Sequence, residues 1–420
     1  MYNGNKKFKG CVIMKKAFLI TVLICVSVIG VGTAVYLTLE HIINPAPHET
    51  IAMAEATIDT FVPYLPHEEI DEYGEENTVA ALPYNEPENY IAEEEILPEY
   101  TYDYEDTTYE YEPECNIVTI TLSAAGDTTL GGDRRWAGYG AFMREFENSG
   151  RNHSHFLQNV AHIFYESDLS ILNLEGTLTY ATYHMDKTFV FRGPPHFAQI
   201  LSSSYIDAVT ISNNHTIDFF QRGYDDTLEA LRAEDIVYFG NEFKTIMEIN
   251  GIQVGMFGYR IWNDSAENRN RVRAAITNLR DRGAQLVIAY YHWGVERENM
   301  PEQYQINIGR YSIRNGADLV LGAHPHVIQG IEEYMGRFIV YSLANFCFGG
   351  NANPPDQDSF IFQQTFSFYD GVLLPDNDKY LIPVFVSSVR YRNNFQPTVA
   401  EGEDAERILA RIERYSEWLR

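Results

Sequence analysis

Two imidazoles flank a proline in His324-Pro325-His326, just past the apolar run Leu319 to Leu321 and Gly322. Proline fixes φ and stiffens the turn, so both rings are held where a strand has delivered them. That placement suits a pair of metal ligands; the plainer reading is a turn with two exposed histidines. Similar donors stand at four other places: Asp127 after Gly126, Glu175 in Asn173-Leu174-Glu175, Asn214 with His215 after Asn213, and His292 before Trp293-Gly294. The set Asp127, Glu175, Asn214, His292, His324 and His326 mixes carboxylate, amide and imidazole without thiolate. It suits Mn²⁺, Fe or Zn²⁺ and is larger than one tetrahedral ion needs. Two divalent ions about 3.5–4 Å apart fit it better, since such a pair can bridge a hydroxide and grip the oxygens of an in-line displacement at phosphorus. Glu175, with two oxygens to share, is the expected bridge. His215 is the expected general acid for a departing alkoxide, the alternative being a structural turn histidine.

These residues need elements to bring them together. Short β-rich runs alternate with amphipathic helices from Ile117 onward, which predicts an α/β domain. Strands are expected over Ile117–Ser123, Leu169–Asn173, Ala208–Ser212, Leu286–Tyr291, Asp318–Leu321 and Phe338–Leu343. Helical spacing recurs at Tyr224, Leu228 and Leu231, at Val272, Ile276 and Leu279, and at Tyr304, Ile308 and Tyr311. Asn250-Gly251 predicts a hairpin between Ile246–Ile249 and Ile252–Phe257. In open α/β sheets the carboxyl ends of strands line the ligand crevice, and each of the first five expected strands ends at or just before one of the donors. Unrelated turn residues would not be expected to do this five times.

The motifs Ala125-Gly126-Asp127, Asn173-Leu174-Glu175-Gly176, Ser212-Asn213-Asn214-His215, His292-Trp293-Gly294, Gly322-Ala323-His324-Pro325-His326 and Tyr341-Ser342-Leu343-Ala344-Asn345-Phe346 follow in this order. Over roughly Val118 to Phe385 the series resembles the CapA family of capsule or poly-γ-glutamate synthesis proteins. The resemblance implies a fold similar to calcineurin-like metallophosphoesterases, an α/β/β/α four-layer sandwich with a two-metal centre. Carried over by motif, Asp127 would bind the first metal, Glu175 would bridge, Asn214, His292 and His324 would hold the second, and His326 would return to the first. Thr129 stands where the broader phosphoesterases place a further histidine ligand, and Ala344 stands where the family usually has glycine. Asn345 is left available near the site.

Lys187 and Arg192 are candidate contacts for an anionic substrate, through charge and a bidentate guanidinium, with surface ion pairs as the alternative. Trp293 is expected to pack under the site and Asp218 to orient His215 or cap a helix; Asp133, after Gly131-Gly132, reads as a turn residue.

Charge divides the 420 residues into three zones, with a net charge of -28. Residues 1–16 form a basic tail containing Lys6, Lys7, Lys9, Lys15 and Lys16, and residues 17–39 are an uncharged, mainly apolar run. That run is long enough to cross a bilayer once, and the lysines place its N-terminal end in the cytoplasm and the rest of the chain outside. A cleaved signal peptide with Gly32-Thr33-Ala34 at its processing site is the rival reading. Cys25 follows Ile24 rather than a small residue, which argues against lipid attachment there. Residues 40–115 hold 22 acidic residues and no Lys or Arg, which predicts a disordered, self-repelling linker spanning about 50 Å or more. Residues 116–420 mix both charge signs and have enough apolar runs for a core. Nothing is basic enough for nucleic acid. Cys115 and Cys347 fall in the extracytoplasmic part and could pair, a matter the sequence leaves open.

The implied function is a membrane-anchored, extracytoplasmic accessory protein for making, exporting or anchoring an anionic surface polymer, with that polymer or its synthesis machinery as partner. The alternative is a metal-dependent hydrolase of phosphoester or amide bonds in the envelope. Thr129 keeps a third reading open, a sensor of acidic ligand with a vestigial site.

Overall fold

The computed structural model describes residues 117–375 and 378–420. The basic tail, the span expected over 17–39, the linker expected over 40–115 and Cys115 lie outside them. Among the described residues no helix is long and apolar enough to cross a membrane.

The principal strands are β1 (Ile117–Thr129), β2 (Leu169–Leu174), β3 (Ala208–Thr210), β4 (Val237–Phe239), β5 (Thr245–Ile249), β6 (Ile252–Arg260), β7 (Leu286–His292), β8 (Leu319–Ala323), β9 (Ile331–Tyr334), β10 (Arg337–Val340), β11 (Asn345–Phe348), β12 (Asp358–Tyr369) and β13 (Asp378–Phe385). The longer helices are α1 (Ala137–Asn148), α2 (Phe220–Ala233), α3 (Ala266–Asp281), α4 (Gln303–Arg314) and α5 (Gly402–Glu417). In the first sheet β1, β2, β3 and β4 run parallel, with β12 and then β13 added antiparallel beyond β1. In the second, β6, β7, β8 and β10 run parallel, and β5 and β9 close the edges antiparallel.

Strands covered on both faces read as continuous apolar runs, and their alternation sorts residues between two layers. Ile288 and Tyr290 of β7 join Ile120 and Leu122 of β1 in a core shared by the two sheets, while Val287 and Ala289 face the other way onto Val272 and Ile276 of α3 and Ile308 of α4. On the far face of the first sheet, Leu172 and Val209 pack with Phe142 of α1 and Leu228 and Leu231 of α2. Helices therefore cover the outer face of each sheet.

The expected α/β class, the six strands and the three helices are present, with ends shifted by a few residues: β1 runs on to Thr129, and the expected Phe338–Leu343 strand ends at Val340. The hairpin forms as read, with Asn250 and Gly251 at φ 50° and 80°, the left-handed pair its turn requires. Absent from the sequence reading were β12, β13 and α5, which extend the first sheet beyond β1 and pack onto it.

Candidate metal centre

The carboxyl ends of β1, β2 and β3 in one sheet, and of β7 and β8 in the other, meet along a common edge, and the donors cluster there. Asp127 lies near the end of β1 and is fully buried. Its Oδ1 accepts from Asn173 Nδ2 at 2.7 Å and its Oδ2 from the backbone N–H of His324 at 3.1 Å. The preceding Gly126 is required by close approach, because a Cβ there would lie 1.9 Å from the Ala344 carbonyl oxygen.

Glu175 follows β2 and is also fully buried, yet neither carboxylate oxygen has a hydrogen-bond partner. Burying a charge without partners costs several kcal/mol, so such a group implies an occupant or a proton. Its backbone is tied down instead: Thr129 Oγ1 donates to the Glu175 carbonyl at 2.8 Å. Thr129 thus braces the acid.

The second sheet contributes imidazoles. His292 closes β7; its Nε2 lies 2.8 Å from Asn214 Oδ1, and its Nδ1 lies 3.3 Å from Asn173 Nδ2. An amide NH₂ can only donate, so Nδ1 accepts and Nε2 carries the proton given to Asn214. His324 and His326 have φ 96° and 58°, a region side-chain-bearing residues rarely adopt and one that clusters at functional sites. His324 Nδ1 is buried and without a partner. His326 Nδ1 lies 3.0 Å from Asp127 Oδ2 and 3.0 Å from Asn345 Oδ1.

Around Glu175 the distances are 3.8 Å from Oε1 to both His215 Nε2 and His292 Nε2, and 3.9 Å from Oε2 to His326 Nδ1. One donor atom each from Glu175, His324 and His326 falls within 4.8 Å of the others. Burial, and then the neighbouring Asp127 charge, holds the Glu175 carboxyl well above its usual range. Burial lowers His292 strongly and brings His324 to about 4, so both rings are neutral. His326 goes the other way, to about 10: burial opposes its charge, but the Glu175 and Asp127 carboxylates outweigh it. A carboxylate without partners, an imidazole nitrogen without a partner and neutral rings around them fit a divalent cation, which would take over the charge balance now met by the His326 proton.

His215 lies beside this cluster. Its Nδ1 is 2.6 Å from Asp218 Oδ2 and its ring stacks on Phe191 at 4.0 Å. Burial lowers its pKa, with Asp218 pulling the other way. Lys187 Nζ lies 2.6 Å from Asp218 Oδ1 and donates to the Asn214 carbonyl at 2.8 Å, so it holds the His215 pair. Arg192 is not brought to the cluster: it is buried, donates to the Tyr180 and Ala181 carbonyls, and lies over the Phe219 ring. Trp293 is fully buried with its indole N–H on the Tyr341 carbonyl at 2.8 Å, and Asp133 ties Arg135 to the backbone N–H of Val190. Among the described residues Cys347 is a free, buried thiol, and its Sγ donates to the Phe395 carbonyl.

Next to His215, His326 and Asn345 opens a cavity of about 110 Å³ with walls from Phe191 and Phe348 and with Arg297 on its lining. Sequence reasoning did not single out Arg297, nor Trp262, whose half-exposed ring stands edge-on to His324 at 4.7 Å. Trp262 follows the end of β6, so the same strand-end rule applied to one more strand would have found it. Asn173, quoted only as part of a motif, proves to be the side chain that touches donors from both sheets.

The fold is α/β, with buried acids from one sheet facing imidazoles from the other at the carboxyl ends of both. The chain matches the family described as bacterial capsule synthesis protein PGA_cap over residues 121–350, more than half its length, and belongs to that family. It is 26% identical over 212 residues to the PGA biosynthesis protein CapA of Bacillus subtilis (strain 168), covering 46% of this chain and 56% of that one. It is 27% identical over 185 residues to the capsule biosynthesis protein CapA of Bacillus anthracis, covering 39% and 45%. The matched region thus spans about half the length of these curated relatives. A hypothetical protein from Thermus thermophilus superposes over 63% of this chain and 99% of its own at 14% identity with a TM-score of 0.37, too loosely to bear on function.

Proposed function

We propose that this chain is an accessory protein of capsule or poly-γ-glutamate synthesis, export or anchoring, tethered to the membrane through residues 17–39 with its C-terminal domain outside the cell. In this reading its partner is an anionic surface polymer or the machinery that makes it. The domain is a four-layer sandwich of the metallophosphoesterase type, and it works through a centre for two divalent ions, Mn, Fe or Zn. The observation that carries the reading is the Glu175 carboxylate, fully buried and without a hydrogen-bond partner, with three imidazoles about 3.8–3.9 Å from its oxygens. Asp127, Glu175, Asn214, His292, His324 and His326 would hold the ions. Deleting the gene should reduce the anionic polymer on the parent cell; unchanged capsule and polyglutamate would contradict the proposal.

The pairing of His215 with Asp218 favours a second reading, metal-dependent hydrolysis of a phosphoester or amide in the envelope. Bound cations would supply Lewis acidity toward the substrate's oxygens. Asp218 accepts a hydrogen bond from the Nδ1–H of His215 and stabilises the doubly protonated ring, whose Nε2–H, on the side of the cluster, would pass its proton to the departing oxygen and leave a neutral imidazole. Phe191, stacked on the ring, keeps water from its face. Full-length protein loaded with Mn²⁺ or Zn²⁺ should cleave a chromogenic phosphodiester, with His215→Ala slower by about 100-fold or more. Equal rates for the two proteins would leave the accessory role without turnover.

A further inference from the structure

Arg297 lies in the loop after β7 with φ 68°, a conformation rarely adopted by residues with a side chain. Its backbone N–H donates to the Pro325 carbonyl at 2.8 Å, so it is pinned to the turn that carries His324 and His326. Its side chain lines the cavity beside His326 and Asn345, and among the described residues its guanidinium has no ion pair or hydrogen bond. The other charges on that lining are accounted for differently. Asp356 is held by Arg411 through contacts of 2.9 and 2.5 Å. Glu296, exposed and next to Arg297 in the chain, lines the same cavity, and its charge also bears on Glu175 and His326. The cavity therefore carries, beside the exposed Glu296, a guanidinium that is exposed and without a side-chain partner among the described residues, and an aromatic wall where Phe191 and Phe348 meet edge to face at 5.9 Å.

A guanidinium at an apolar wall binds planar anions through two parallel hydrogen bonds, and exclusion of water strengthens the contact. We propose that this cavity is an anion subsite next to the cation centre, in which Arg297 grips a carboxylate or phosphate of the ligand while Phe191 and Phe348 shield the contact. The inference deepens the reading above, because a ligand with one anionic group at the centre would place its next one here. Strain at Arg297 and its tie to Pro325 keep the two positions in register.

The test is calorimetric titration of the full-length protein, its Arg297→Gln and its Arg297→Lys variants with three probes: γ-linked pentaglutamate, glutarate and inorganic phosphate. Cation content and melting temperature are measured on the same samples. Wild type is expected to bind the carboxylate probes or phosphate, whichever group the subsite takes. Arg297→Gln should bind that probe at least about tenfold more weakly, and Arg297→Lys should fall between, with cation content and melting temperature unchanged. Failure of all three probes on wild type, or equal binding by Arg297→Gln, would overturn the proposal. Probe binding that depends on Arg297 in protein carrying no cation would uphold the subsite and sink the reading of the centre.

Discussion

The two sheets supply opposite chemistry to one site. The first contributes acids and amides, Asp127, Glu175 and Asn214, on strand ends braced from behind by Asn173, Asn213 and Thr129. The second contributes His292, His324 and His326 on a strand end and a strained turn. Burial holds His292 and His324 neutral, with His324 Nδ1 left without a partner, while the first sheet supplies buried carboxyl oxygens, those of Glu175 unpartnered and held well above their usual range by burial and the Asp127 charge. In the centre proposed above a divalent ion would draw on both halves, and the packing of the sheets through a shared core brings them within reach.

Breaking the acid half should have the largest effect. Glu175→Gln should weaken divalent-cation affinity by about 100-fold or more, read by competition titration, because it removes the charge that the ion balances. In chelator the sign reverses: the variant should be more stable than wild type by about 2 kcal/mol in denaturant unfolding, since an unpartnered buried carboxylate is gone. Next comes the link between the halves. Asn173→Ala frees both Asp127 and His292 and should weaken cation binding by about 10- to 100-fold, with the residual site still detectable by the same titration. Thr129→Val removes only the brace on the Glu175 carbonyl, and urea unfolding should show a loss of about 1 kcal/mol.

The smallest effect sharpens the comparison from outside the site. His153 and His196 form a second histidine pair, with His153 Nε2 2.8 Å from His196 Nδ1, and His155 stands on the same short turn as His153. Burial lowers all three below 6.5. Unfolded imidazoles take up protons below that value while these folded ones resist, so stability should fall as pH drops through the window just under 6.5 and recover as it rises. His153→Gln with His196→Gln should flatten that slope in unfolding curves collected across the window. An unchanged slope would show that imidazoles here are not held neutral by burial, and would weaken the same argument for His292 and His324.

Much of this site was legible in the sequence because parallel strands announce themselves as apolar runs, and five of them end on donors: Asp127, Glu175, Asn214, His292 and the His324-Pro325-His326 turn. What the sequence could not express is partnership at a distance. Arg192 was expected to meet an anionic substrate, yet carbonyls at Tyr180 and Ala181 capture it. Lys187, read as a contact for substrate, is held by Asp218 and Asn214. Arg297 was invisible because its placement depends on a left-handed backbone and a hydrogen bond to Pro325 across the turn. The antiparallel extension by β12 and β13 was missed because no motif marks it.

The central claim is that acids of one sheet and imidazoles of the other together hold divalent cations. Elemental analysis of full-length protein after dialysis against Mn²⁺ and Zn²⁺ tests it most directly, with Glu175→Gln and His324→Asn treated alongside. The account predicts at least about one tightly held ion per wild-type chain and loss of it in both variants. A wild-type protein without metal, or one whose content matches that of both variants, would contradict it.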